Sequence, residues 1–223
     1  MTVGRNLIVP LLTFMLASCA SVQTQDEIGV TVEAEADAYA QNKDKLGLVL
    51  LDARWARQWK CGRYENAQLV SFSFDKFPLS ARPDDAPADI AIGTTSLLAV
   101  SPKFESYALL VAPGEYALSS FKIKTAKSVS DVGYWVASRS HLIKDSKPLG
   151  GKFNVVPGEA VYIGNFALDC YEGPTLWRYY ATGQDGFRKQ LSDYKSKYPF
   201  LDLTNVKFRL FETSTIGRPY ELK

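Results

Sequence analysis

Val70-Ser71-Phe72-Ser73-Phe74-Asp75 alternates apolar and polar side chains one by one. That is the period of a β-strand with one face on a core and the other among polar groups. Working outward, the same period returns. Phe121 and Ile123 alternate with Lys122 and Lys124, and Val206, Phe208 and Leu210 alternate with Lys207 and Arg209. Leu48-Val49-Leu50-Leu51 and the segments 90–100, 107–111, 133–137, 153–156 and 160–166 add further short candidates. Strands at this spacing, punctuated by Pro and Gly, predict an all-β chain built as an antiparallel β-sandwich.

One segment breaks the period. After Asp185, Phe187, Leu191, Tyr194 and Tyr198 recur at helical spacing, Arg188, Lys189, Lys195 and Lys197 fill the remaining positions, and Pro199 follows. The pattern predicts a helix over about 185–198, with Asp185 as its N-cap, lying on the sandwich. A last strand over 205–212 completes a body spanning 46–212, and 213–223 reads as a C-terminal tail.

Two turns share a wording, Ala112-Pro113-Gly114-Glu115-Tyr116 and Val156-Pro157-Gly158-Glu159-Ala160. Proline presets the second position of a type II turn and glycine supplies the positive φ of the third, so each is expected to join neighbouring strands. An apolar strand, Pro-Gly-Glu and a second apolar strand, over residues 105–166, resemble β-sandwich modules of the transthyretin-like or carboxypeptidase-regulatory type. They are also similar to uncharacterised bacterial lipoproteins of the DUF2846-like group. The resemblance implies a transthyretin- or immunoglobulin-like sandwich and brings no catalytic residue with it.

The N-terminus agrees with the second of these. Arg5 precedes a mostly apolar run over residues 7–17, which ends in Leu16-Ala17-Ser18-Cys19. One cation before a short apolar run is the layout of a secretory signal peptide, and the run falls short of the roughly 20 residues a bilayer span needs. The four residues at its end resemble the lipobox of bacterial lipoproteins. That resemblance implies removal of residues 1–18 and a diacylglyceryl thioether on Cys19, usually with an acylated amine. Each buried acyl CH₂ contributes about 0.8 kcal/mol, so two or more chains anchor stably. Ala20 rather than aspartate after the cysteine favours, in that family, an outer membrane facing the periplasm of a Gram-negative cell. Residues 19–45, polar or alanine-rich, read as a lipidated tether, although Ile28-Gly-Val-Thr-Val32 is also a possible first strand.

Export changes the meaning of the other two cysteines. In an oxidising compartment Cys61 and Cys170 are expected to pair, closing a loop of more than 100 residues worth about 4.7 kcal/mol in chain entropy. Two buried free thiols are the alternative.

Chemistry beyond this is thin. With 26 basic against 24 acidic residues there is no basic field for nucleic acid. His141 is the single histidine, in Ser138-Arg139-Ser140-His141, and no nucleophile elbow accompanies it. Asp84-Asp85-Ala-Pro-Ala-Asp89 lacks the glycine and alternate oxygens of a calcium loop, and no Cys-x-x-Cys is present, so neither a metal nor a cofactor is expected. Aromatic and basic residues crowd both cysteines: Trp55, Arg57 and Trp59 before Cys61, and Trp177, Arg178 and Tyr180 after Cys170. Such residues make interaction hot spots, and they also serve as core caps with cation–π partners. The function expected is non-catalytic binding in the envelope, to another envelope protein or to peptidoglycan, with membrane attachment through Cys19. The alternative is a hydrolase or glycan-modifying enzyme using carboxylates such as Asp52, Glu65 or Asp169.

Overall fold

The computed structural model describes residues 33–79, 82–94 and 101–223. Cys19, the signal segment and the Ile28–Val32 stretch lie outside the described residues, as do 95–100 of the candidate strand 90–100. The described chain enters through helix α1 (Ala36–Asn42) and strand β1 (Gly47–Ala53). It continues through β2 (Gln58–Cys61), β3 (Tyr64–Phe77), β4 (Ile90–Gly93), β5 (Glu105–Val111), β6 (Gly114–Ala126) and β7 (Val132–Ala137). Helix α2 (Arg139–Leu142) and the small hairpin β8 (Ile143–Lys144) and β9 (Lys147–Pro148) come next. Then follow β10 (Lys152–Val155), β11 (Ala160–Asp169), β12 (Thr175–Tyr179), α3 (Gly183–Lys197) and β13 (Lys207–Phe208).

Two sheets face each other across one core, as expected of a sandwich. The first has strand order β12-β11-β1-β5 with β13 beside β11, and the second β10-β6-β3-β2 with β4 beside β3 and β7 beside β6. Phe72 and Phe74, the apolar members of the opening motif, sit at the centre. Phe72 stacks on Phe166 at 5.0 Å between ring centroids, and Phe74 meets Phe153 edge-on at 5.1 Å. Aromatic pairs at these separations add about 0.5–1.5 kcal/mol each beyond their buried area.

One ladder departs from the antiparallel scheme. β1 runs parallel to β11, while pairing antiparallel with β5 on its other side. This accounts for the unbroken apolar run Leu48-Val-Leu-Leu51. Val49, Leu51 and Ala53 face the inter-sheet core, whereas Leu48 and Leu50 face a second apolar layer containing Phe187, Tyr194 and Tyr198 from α3 and its end. A strand covered on both faces has no polar side to alternate with. The predicted helix is therefore present and laid on the sandwich. It begins earlier than expected, after Thr182, and Asp185 occupies its first turn in an ion pair with Arg188, where a carboxylate complements the helix dipole.

The two Pro-Gly turns differ from expectation. β5 and β6 lie in different sheets, and so do β10 and β11, so each turn is an arch between layers and not a hairpin. The reason is long-range pairing. β6 is claimed along its length by β3, from Asn66↔Ala126 to Phe77↔Glu115, and β11 is claimed by β1. The 157–158 arch is fixed to β1 by Gly158 N–H donating to the Leu46 carbonyl at 3.0 Å.

Both ends of the body reach further than 46–212. Ala34 N–H bonds the Ala108 carbonyl, and Tyr39 of α1 packs on the layer under α3. At the other end Glu212 pairs with Lys152 of the second sheet and Gly217 with Arg178 of the first, with Ile216 buried between. The 212–217 segment thus ties the two layers along one side, and the expected tail begins inside it.

Candidate binding site

Cys61, at the end of β2, and Cys170, just past β11, are bonded, with their Cα atoms 4.6 Å apart. That separation lies within the usual range for a disulfide. The bridge joins the two sheets and pins the loop that follows, Tyr171-Glu172-Gly173-Pro174. The β2–β3 turn packs directly on this loop: a Cβ added to Gly62 would stand 2.9 Å from both the Glu172 carbonyl oxygen and Gly173 Cα.

A cavity opens on each side of the loop, and Glu172, Gly173 and Thr175 are common to both. The larger, about 820 Å³, takes in Asp169, Tyr171, Trp177, Arg178, Tyr180 and Arg218 among its walls. The smaller, about 510 Å³, adds Arg63, Tyr64 and Trp135. Both volumes suit a small-molecule or oligomeric ligand.

Trp177, Arg178 and Tyr180 therefore share one cavity, while their expected companions do not join them. Trp55 is a correction: it is 1% exposed, its indole N–H donates to the Tyr107 hydroxyl at 2.8 Å, and its ring stacks on Phe72. It belongs to the core because β1 carries it inward and Gln68 holds its carbonyl at 2.9 Å. Trp59 is 63% exposed on β2, with the Arg57 guanidinium 5.6 Å from its ring centre, and neither lines the cavities.

Arg178 is the most unusual group here. It is 2% exposed, and among the described residues it has no carboxylate partner. One Nη2 donates to the Arg218 carbonyl at 2.6 Å, Nε and Nη1 have no partner, and the guanidinium lies 5.7 Å from the Tyr180 ring. Burial, first of all, pulls its pKa below the usual arginine value, with Tyr180 and Tyr162 opposing. Two glycines make the slot. A Cβ on Gly164 would meet Arg178 Cδ at 2.7 Å, and one on Gly217 would meet Nε and Nη2 at 2.8 Å. Tyr180 in turn stacks face to face on Tyr220, 4.4 Å away and 13° from coplanar.

Sequence reasoning did not single out Tyr171, Glu172, Arg63, Trp135 or Arg218. Position next to a bridged cysteine was a usable signal for Tyr171, Glu172 and Arg63. Trp135 and Arg218 arrive from β7 and from the C-terminal segment, and only the fold brings them close.

The carboxylates considered for catalysis are scattered. Glu65 is exposed on β3, Asp169 lines the larger cavity, and Asp52 is buried beneath α3. Asp52 accepts from the hydroxyl of Ser106 (2.6 Å), the amide of Gln190 (2.6 Å) and the hydroxyl of Tyr194 (2.9 Å). Its pKa is raised to about 6 by burial, against the lowering effect of the Ser106 and Tyr194 bonds. His141 has a similarly local use. Ser138 Oγ lies 2.8 Å from its Nδ1 and donates to Asp84 at 2.9 Å, an N-terminal cap on α2 in which the acid contacts the serine and not the imidazole. Ser140 also bonds Asp84 through its hydroxyl and its backbone N–H. Asp89 is occupied as well, accepting from Lys76 N–H and from Arg82. Among the described residues no group of three or more His, Cys, Asp or Glu side chains is placed to hold a metal ion.

Comparison with protein-family models, with curated proteins and with solved structures finds no match for this chain.

Proposed function

We propose that this protein is a lipid-anchored component of the bacterial cell envelope that acts by binding, through the cavity beside its disulfide. The observation that carries the reading is the convergence of Trp177, Arg178 and Tyr180 on one cavity of about 820 Å³ whose rim is a disulfide-pinned loop. A rigid rim reduces the ordering cost of association, and aromatic and arginine side chains are the groups that supply binding energy in small areas. Attachment through Cys19, on an outer membrane with the sandwich facing the periplasm, rests on the resemblance of Leu16-Ala17-Ser18-Cys19 to a lipobox. The partner is expected in the same compartment, another envelope protein or the cell wall.

The test is a photo-crosslinking amino acid placed at Tyr171, which is 91% exposed on the cavity rim, in the producing cell. A discrete crosslinked product is expected, together with its loss when both Cys61 and Cys170 are replaced by serine. The same probe at Val129, 98% exposed on the β6–β7 loop, is the control. Equal products from both positions, or none from Tyr171, would overturn the reading.

A further inference from the structure

We infer that the two cavities form a single groove for a linear, neutral or zwitterionic oligosaccharide that crosses the Tyr171–Pro174 loop. This rests on the binding role proposed above and names the ligand class for it. Since Glu172, Gly173 and Thr175 belong to both cavities, a chain leaving one enters the other over the same rim. A ligand of repeating units fits such a surface, because each side repeats the same equipment.

That equipment is an aromatic face with charged groups around it. Tyr171 and Trp177 stand on the larger side, and no described ring stacks on either. Trp135 stands on the smaller side, 47% exposed and steadied by Phe121 at 5.0 Å. Aromatic faces accept the C–H face of a sugar ring, and carboxylates and guanidinium forks accept from and donate to its hydroxyl groups. Four accessible charged side chains line the groove, Arg63 and Arg218 with Asp169 and Glu172, while the buried Arg178 lies in its wall. None of them forms an ion pair among the described residues, so their hydrogen-bonding capacity is not spent on one another. The mixture of signs disfavours a strongly anionic polymer.

A peptide added as an extra strand is the competing occupant, and the edge it would need is partly taken. β12 is the edge of its sheet, but Arg178 N–H already donates to the Ile216 carbonyl, and Gly217 is paired alongside.

The experiment is titration calorimetry on the full-length protein in detergent micelles. The probes are the dimer and hexamer of β-1,4-linked N-acetylglucosamine, and the hexamer of β-1,4-linked glucose. Saturable binding of at least one hexamer is expected, with the matching dimer at least about tenfold weaker. Y171A is expected to weaken dimer and hexamer alike, and W135A to weaken the hexamer by about fivefold while leaving the dimer unchanged. Both rings are exposed enough that truncation leaves the core intact. No binding of either hexamer, equal affinity for dimer and hexamer, or no effect of W135A would overturn the inference. A protein crosslinked at Tyr171 without hexamer binding would overturn the oligosaccharide and leave the binding role standing.

Discussion

The hydroxyl of Tyr194, in the last turn of α3, donates to Asp52 Oδ2 at 2.9 Å, joining the helix to the inner strand β1 across 142 positions of sequence. Asp52 faces the same layer as Leu48 and Leu50, so the helix sits on apolar contacts with one carboxylate at their edge.

This arrangement makes stability depend on pH. The folded-state pKa of Asp52 is about 6, above the ordinary 3.8, chiefly through burial. Between these values the folded chain holds more protons than the unfolded one. Unfolding free energy from this group therefore falls as pH rises from about 4 to 6, by about 3 kcal/mol in all, and levels off beyond 7. Urea denaturation of wild type and Asp52→Asn across this window is expected to show a difference that follows that curve. Parallel curves for the two proteins would refute the assignment.

Asp75 and Arg139 are a second buried anchor, with Arg139 Nε 2.6 Å from Asp75 Oδ2. Arg139 also donates to the carbonyls of Pro83, Asp84 and Pro87, so it holds the 82–89 loop as well as the carboxylate. Arg139→Met leaves the buried Asp75 with the more exposed Arg82 as its remaining cationic partner, beside the Asp89 N–H, and is expected to cost about 3–5 kcal/mol in chemical denaturation. Combining it with Asp75→Leu is expected to recover at least half of that loss, since the uncompensated charge is then gone.

The disulfide spans 109 positions. Serine at both Cys61 and Cys170 is expected to lower unfolding free energy by about 4–5 kcal/mol, through the larger entropy of the unlinked unfolded chain. Peptide mapping without reductant checks the bond itself: a linked Cys61–Cys170 peptide is expected, and two alkylatable thiols contradict it.

For the anchor, Cys19→Ser is expected to abolish incorporation of labelled fatty acid and to shift the protein from the membrane to the soluble fraction. Labelling that persists in the variant would remove the lipoprotein assignment.

Much of the architecture was legible because it depends on local period. Val70, Phe72 and Phe74 announce a strand wherever the rest of the chain goes, and Phe187, Leu191 and Tyr194 announce a helix with one buried face. The Pro-Gly turns show where legibility stops. Both mark a reversal of the chain, yet whether the next strand joins the same sheet or the opposite one is settled by distant partners, β3 for β6 and β1 for β11. Trp55 and Trp59 make the same point within five residues. Their surroundings in sequence are alike, one is sealed under Tyr107 and Phe72, and the other lies in the open beside Arg57.

By itself, then, the sequence determined most core strands and the long helix, the sandwich class and the pair of cysteines suited to a bridge, because periodicity, turn chemistry and residue type act over a few positions. It did not announce α1, β2 or β12, and of the strand expected over 205–212 only Lys207–Phe208 forms. Tertiary structure alone decided the parallel partner of β1, the burial of Arg178 between Gly164 and Gly217, and the groove on the two sides of Glu172. Those depend on contacts that local period does not relate, 14 positions apart for Gly164 and Arg178, 39 for Arg178 and Gly217 and more than 100 for β1 and β11, whose closeness results from packing the whole core.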